Sequence, residues 1–294
     1  LINLRTPEAV AEEVQIIISR IFPEFDFIPF NDVFGDTQKL FGGHYQGFRA
    51  CNAMYHDLKH TTDALLATAR LIHGAVLDGE TISSSNARLA LICALFHDTG
   101  YIQEAGDATG TGAKYTLTHV DRSNNFMREY FQEKGMSRED FENGRDIINC
   151  TGLNTDISGI KFKSSETELL GKMLGTADLL GQMADREYLE KLLFLYYEFK
   201  EGGVGDYSSE LDLLQKTLGF YELIKKRLDD ELSGVYKYLA RHFKERWDMD
   251  ADLYTWYLDK NIDYLKYILG DHESKHRDHL KRGGIVQRLE GEGF

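Results

Sequence analysis

Four residues in this chain have the types and the spacing to hold a metal ion: His60, His97, Asp98 and Asp178. His97 and Asp98 close the run Ala94-Leu95-Phe96-His97-Asp98, where Leu91, Ile92, Leu95 and Phe96 predict a buried helix. A carboxylate at the end of such a helix is costly unless it is paired or bound to a cation. Adjacent residues point apart on a helix, yet near its end both can converge on one ion in front of it. Asp178 falls beside the apolar face marked by Leu170, Leu174, Ala177 and Gly181, where a buried aspartate again requires a partner. His60 lies in Tyr55-His56-Asp57-Leu58-Lys59-His60-Thr61-Thr62-Asp63. His56 stands four positions earlier, so on a helix the two imidazoles share a face. Two histidines and two aspartates suit a divalent cation: imidazole favours zinc, iron or nickel, and carboxylates admit manganese or magnesium. The bland alternative is a buried hydrogen-bonded network.

The order His60, His97-Asp98, Asp178 resembles the HD-domain metal-dependent phosphohydrolase superfamily. The first segment is also similar to the signature helix of cyclic-nucleotide phosphodiesterases, Tyr-His-Asn-x-x-His-x-x-Asp, with Asp57 in place of the Asn. The resemblance spans roughly residues 50 to 185. It implies an HD-type helical bundle that cleaves a phosphoester or phosphoanhydride of a nucleotide or other small phosphate compound. One or two divalent ions would be held by His60, His97, Asp98 and Asp178, with metal-activated water as the nucleophile. Asp98, or Asp178 at a shared position, would also orient the water or bridge to a second ion. The resemblance gives His56 the role of protonating the leaving oxygen, a task that suits imidazole chemistry; its bland reading is to orient Asp57 or a ligand. His119 would complete a second metal site or contact phosphate, with Ser123 a looser match. Departures from these relatives are plain. Thr99-Gly100-Tyr101 replaces the His-Pro-Gly of phosphodiesterases, and Asn149-Cys150-Thr151 stands where fuller di-iron sites carry histidine. The Gly-Tyr-Pro element of cyclic-di-GMP hydrolases is missing. These departures leave open a catalytically inactive HD scaffold that acts as a nucleotide-sensing or interaction module. Oxygen-dependent chemistry at a di-iron site would need more ligands than the sequence offers.

Three polar residues could reach a substrate at the mouth of such a site: Lys114, Arg122 and Gln182. A cation beside a phosphate is physically sensible, although such residues more often face solvent. Gln182 follows Asp178 by one helical turn. Between Glu104 and Lys114, Gly106, Gly110 and Gly112 form a glycine-rich stretch that could cradle a phosphate through backbone N–H groups. No strand precedes it and its spacing is not that of a P-loop, so a rim loop is the better reading. His73 and His242 read as structural or solvent-facing. His272, His276 and His279 sit among Lys275, Arg277, Lys281 and Arg282, which favours a solvated basic helix end.

The scaffold that must position these residues reads as all-α. The chain has 294 residues, 42% hydrophobic and 28% charged, as in an ordinary globular protein. Its three prolines fall within the first 29 residues, and the proline-free remainder suits uninterrupted helices. No period-2 alternation of β-branched residues argues for a sheet. The organisation expected is an N-terminal helix and wrapping segment over 1–50, a metal-binding core over 51–185, and a C-terminal helical extension over 186–294 packed on that core. Thr6-Pro7-Glu8 opens the first helix, and Phe22 to Gly47 reads as an irregular aromatic wrap. A long helix is expected over 53–77, with others from Ala87 to His97, from Thr118, from Ser137 and from Ser164 or Ser165. Three or four amphipathic helices should fill 208–282, with the tail from Arg282 frayed.

A net charge of -14 argues against a general nucleic-acid surface. It does not oppose a small phosphate ester, because a bound metal inverts the local field. Three cysteines without metal-type spacing read as small apolar residues in a reducing compartment. No apolar run approaches the ~18 residues of a membrane span and no signal peptide is apparent. A cytoplasmic protein is therefore expected, with the C-terminal helices offering a homodimer face. The opening residue is Leu1, which leaves room for a preceding segment.

Overall fold

A computed structural model describes residues 6–271 and 275–292. His272 therefore lies outside the described residues. Thirteen α-helices run through the described chain, with no strand and a single isolated antiparallel bridge between Phe48 and Glu104. The first is α1 (Pro7–Ile21), whose N-terminus is capped by Thr6 accepting from the Ala9 N–H. Next comes α2 (Ile28–Phe41), in the stretch expected to be irregular. Pro29 sits in its first turn, and Phe30, Val33, Phe34, Thr37, Leu40 and Phe41 form a buried stripe at helical spacing. The aromatic density of this segment comes from a core-facing helix.

The centre is built by α3 (Leu58–Leu77), α4 (Ser84–Phe96), α5 (His119–Glu133), α6 (Arg138–Asn149) and α7 (Ser165–Met183). α3 packs against α1, α4 and α7, and most of its residues from His60 to Ala75 are buried. α4 is apolar all round, from Leu89 through Phe96 without an exposed residue, as a helix enclosed by others must be. Side-chain caps fix the starts: Asp57 for α3, Ser83 for α4, Ser164 for α7, and a reciprocal Ser137–Asp140 capping box for α6. The cap on α3 corrects the expected helix over 53–77. Asp57 adopts an extended backbone and accepts the His60 N–H at 2.9 Å. The helix therefore begins at Leu58, and His56 lies on the approach to it.

The remainder comprises α8 (Tyr188–Gly202), α9 (Glu210–Asp229), α10 (Tyr238–Trp247), α11 (Leu253–Asp271), α12 (His276–His279) and α13 (Ile285–Glu292). Gly203 ends α8 in the left-handed conformation at φ 64°. α10 covers α3, and α11 packs on α7. The tail expected to fray is instead held: Ile285, Val286 and Leu289 of α13 are buried, and α13 packs on α8. Its apolar residues recur at helical spacing, which sufficed to dock a short helix. One hydrophobic core runs from Val10 to Leu289. No described helix is long and apolar enough to cross a membrane. Cys93 and Cys150 are buried, Cys51 is half-buried, and all three are free thiols. His73 and His242 are both buried, their Nδ1 atoms 3.2 Å apart.

The C-terminal helices are tied back by charge. Arg277 donates two hydrogen bonds, at 2.8 and 2.7 Å, to the buried carboxylate of Glu210. Burial alone would raise the Glu210 pKa, but hydrogen bonds from His276 and Arg277 outweigh it and hold the carboxyl down at about 2. A carboxylate depressed in the fold contributes stability above its ordinary pKa of ~4.3, and that contribution fades as pH falls toward the folded value. The melting temperature of Glu210→Gln should lie below wild type at pH 6, and the gap should close as pH falls from about 4 to 2. A gap that stays constant over that range would show that the ion pair is not its source.

Candidate metal centre

The His97-Asp98 pair sits at the junction between α4 and a 3-10 turn, Thr99–Tyr101. α5 clamps that turn. Ser123 Oγ donates to the His97 carbonyl at 2.6 Å and accepts the Gly100 N–H at 2.9 Å. Arg122 donates to the carbonyls of Gly100 and Ile102 at 2.7 and 3.0 Å, its guanidinium 3.6 Å from the Tyr115 ring centroid. The approach is so close that a Cβ on Gly100 would lie 1.9 Å from the His119 carbonyl oxygen. Gly100→Ala must therefore push the turn off α5, at a cost on the order of 3 kcal/mol. It is expected to lower the melting temperature and to displace Asp98 enough to weaken divalent-ion binding, measured by thermal denaturation and isothermal titration.

Three side chains converge from three of the central helices. His60 from α3, His97 from the end of α4 and Asp178 from α7 offer ligand atoms that all lie within 4.8 Å of one another. His60 Nε2 is 3.1 Å from Asp178 Oδ1 and 3.1 Å from Asp98 Oδ2. His97 Nε2 is 3.6 Å from the former, 3.4 Å from the latter, and 3.4 Å from His60 Nε2. Ligand atoms ~2.1 Å from a shared cation stand about 3.0–3.4 Å apart in octahedral or tetrahedral arrangements. All five separations fall in or near that range. The imidazoles also present the correct atom: His97 Nδ1 faces the Ala94 carbonyl at 2.8 Å, which leaves Nε2 with its lone pair toward the aspartates. His60 Nδ1 is buried without a hydrogen-bond partner, and the buried Asp98 Oδ2 meets no donor besides the His60 and His97 imidazoles, at 3.1 and 3.4 Å. For a buried carboxylate oxygen this is costly unless a cation sits against it. The donor set and its spacing fit a divalent cation.

Electrostatics point the same way. Burial disfavours charge on His60, but hydrogen bonds to Asp178 and Asp98 outweigh it and push its pKa up to about 10. His97 is raised too, burial being outweighed by the charge of Asp98 and a hydrogen bond to Asp178. Burial would raise Asp98 and Asp178, yet the imidazoles hold both well below the carboxylate range. Two buried carboxylates thus demand positive charge, and protons on the imidazoles are what the chain itself can supply. A divalent ion is the alternative source.

Asp178 is braced from behind. Gln182 donates to its carbonyl and Oδ1 at 3.0 and 3.2 Å, and Gln182 Oε1 accepts from the Tyr55 hydroxyl at 2.6 Å. Gln182, expected to contact substrate, is thus placed to orient a ligand. His119 turns Nδ1 to the Thr116 carbonyl at 2.7 Å and Nε2 toward Asp98 Oδ1 at 3.8 Å. Asp98 therefore has one oxygen toward His60 and His97 and the other toward His119. His119 is half-buried, and burial lowers its pKa.

His56 lies beside this cluster, its ring centroid 5.8 Å from that of His60. It stacks on Tyr101 at 4.1 Å, and Tyr101 stacks on His119 at 4.6 Å. Its Nδ1 contacts Glu198 Oε2 at 2.6 Å, while Glu198 Oε1 accepts the Tyr55 N–H at 2.6 Å. His56 Nε2 is 3.4 Å from the Tyr101 hydroxyl. Sequence reasoning missed Glu198 and the part played by Tyr55 and Tyr101. Glu198 is buried on α8 amid tyrosines and phenylalanines, and a carboxylate within so apolar a helix is the one signal that could have raised it.

Lys114 and Arg122, expected to contact substrate, both have partners within the fold. Lys114 Nζ is held by Asp107 at 2.6 Å and by the Thr109 carbonyl, and Arg122 secures the Thr99–Tyr101 turn as described. In the glycine-rich stretch, Thr111 bonds Glu201 of α8 through its N–H and hydroxyl, and the Gly112 N–H bonds Asn52 at 2.9 Å.

An all-helical bundle with a buried two-histidine, two-aspartate cluster is the class that fold and site define. A family model described as Npun_R2479-like matches residues 105–255, just over half of the 294 residues, and the chain belongs to that family. The matched stretch includes His119, Asp178 and Glu198, and begins beyond His56, His60, His97 and Asp98. No curated protein and no solved structure matches the chain.

Proposed function

We propose that this protein is an HD-type metal-dependent phosphohydrolase acting on a phosphoester or phosphoanhydride of a nucleotide or other small phosphate compound. The observation that carries the reading is the meeting of His60, His97, Asp98 and Asp178 at ligand-like separations, beside an imidazole oriented by a buried carboxylate. His60, His97 and Asp178 would hold a divalent ion, with Asp98 as a fourth ligand. A bound divalent ion supplies a nucleophile at neutral pH and neutralises charge developing on phosphoryl oxygens. The chain's own residues do the rest. Gln182 and the Ala94 carbonyl keep Asp178 and His97 aimed inward, so that little reorganisation is needed during the reaction. Glu198 accepts a hydrogen bond from His56 Nδ1–H and so fixes the ring, which would leave the proton on Nε2 as the one given to the leaving oxygen. Asp98, with an oxygen on either side, is the residue able to serve a second ion together with His119. The reading places the protein in the cytoplasm, and its C-terminal helices as the face for a homodimer.

Elemental analysis of the purified protein tests this first, with titration of zinc, manganese, iron, nickel and magnesium into metal-stripped material. The expected result is near-stoichiometric binding of at least one ion and, with that ion, hydrolysis of bis(p-nitrophenyl) phosphate or a nucleotide. An absence of binding by any of these ions would remove the hydrolase reading. Binding without turnover on a broad panel of phosphate compounds would favour the nucleotide-sensing scaffold.

A further inference from the structure

A cavity shares the two helices that carry His60 and Asp178 but none of the metal-binding side chains. It has a volume of about 440 Å³ and lies between α3, α7, α10 and α11. That is within the ~300–1,000 Å³ of small-molecule sites. Its walls are mostly apolar and aromatic, with Leu66, Phe243, Trp247, Tyr254 and Tyr257 among them. Trp247 and Tyr257 remain 37% and 47% exposed, so the aromatic wall reaches the mouth.

The charges around this space do not balance pairwise. Lys59 is bonded to Asp63, and Asp185 is paired with Lys191 at 2.6 Å. Arg70 has no carboxylate partner among the described residues. It donates one hydrogen bond, to the Tyr254 hydroxyl at 2.8 Å, and its buried Nε has none. Its guanidinium carbon lies 5.5, 5.8 and 5.6 Å from the ring centroids of Phe243, Trp247 and Tyr254. Cation–π contact stabilises the charge, but it satisfies no N–H donor. A partly buried guanidinium with spare donors, facing a cavity of aromatic walls, is built to receive an anion. One unpaired cation matches a ligand of one negative charge, because Lys59, Asp63 and Asp185 on the same walls already have partners.

We propose that this cavity binds a small aromatic monocarboxylate, its ring among Trp247, Tyr254 and Tyr257 and its carboxylate on Arg70. The site lies apart from the metal cluster and stands or falls independently of the hydrolase reading.

Isothermal titration of the full-length protein with 2-naphthoate, and with neutral 2-naphthamide of the same shape, tests the assignment. The naphthoate should bind about tenfold or more tightly than the amide. Arg70→Met should remove that advantage and leave amide binding unchanged. Ala184→Phe, which fills the cavity and leaves Arg70 in place, should abolish binding of both. If Arg70→Met does not fold, the acid–amide contrast in wild type and the Ala184→Phe result decide. No binding of naphthoate, equal binding of acid and amide, or retention of binding in Ala184→Phe would each overturn the proposal.

Discussion

His97→Ala and Asp178→Asn are each expected to lose the bound ion and, with it, phosphoester turnover by on the order of 10³-fold or more. The magnitude follows from the several kcal/mol of charge stabilisation that a catalytic cation supplies. The two variants should differ in their stability without metal, and this difference is diagnostic. His97→Ala takes a positive charge away from two buried carboxylates, His97 Nε2 being 3.4 Å from Asp98 and 3.6 Å from Asp178. Breaking a buried pair in this way costs about 3–5 kcal/mol. Asp178→Asn removes one of the two negative charges and keeps its shape, so it should melt closer to wild type in chelator. Added metal should raise the wild-type melting temperature and move neither variant, because only a state that binds the ion gains from it. The competing view, a purely structural network, makes a different forecast. Under it, chelator and metal leave the wild-type melting temperature unchanged, and that outcome would end the metal reading.

Much of this site was legible because it rests on chemistry that burial makes expensive. An aspartate directly after Leu95-Phe96-His97, and another beside Leu174 and Ala177, had to find partners, and the structure brings both to His60. The all-α fold was legible for a related reason: helical periodicity and caps such as Thr6, Ser83 and Ser137 are local signals. What stayed hidden depended on long-range contact. The Glu198–His56 pair joins residues 142 positions apart, and the apolar setting of α8 marks Glu198 no more than Glu190, which is also buried. The start of α3 was misplaced because Asp57 looked like part of a helical ligand motif, whereas its side chain accepts the His60 N–H and ends the helix there. α2 was missed because a dense aromatic run with prolines reads as loop, although Pro29 stands where a first-turn proline is tolerated. Lys114 and Arg122 illustrate the opposite limit. Their charge suggested a phosphate, and only the fold shows that Asp107 and two backbone carbonyls already engage them.

The proposed division of labour, metal-binding side chains on one side and His56 on the other, leads to a second large effect that depends on the leaving group. His56→Gln should slow hydrolysis of an alkyl phosphoester by about 10²–10⁴-fold, the usual contribution of a positioned acid. The same variant should slow a p-nitrophenyl ester far less, because p-nitrophenolate departs without needing a proton. Glu198 acts through His56, to which it is joined at 2.6 Å, so Glu198→Gln should show the same dependence on leaving group in weaker form. Its amide can still meet Nδ1 but no longer fixes the orientation of the ring as firmly as a carboxylate does. Metal content should be unchanged in both variants, because neither residue belongs to the ligand set. Equal slowing of good and poor leaving groups would show that His56 positions substrate or metal instead of donating a proton. Loss of metal in Glu198→Gln would show that the Tyr55–Glu198 contact holds the centre together, with His56 a bystander.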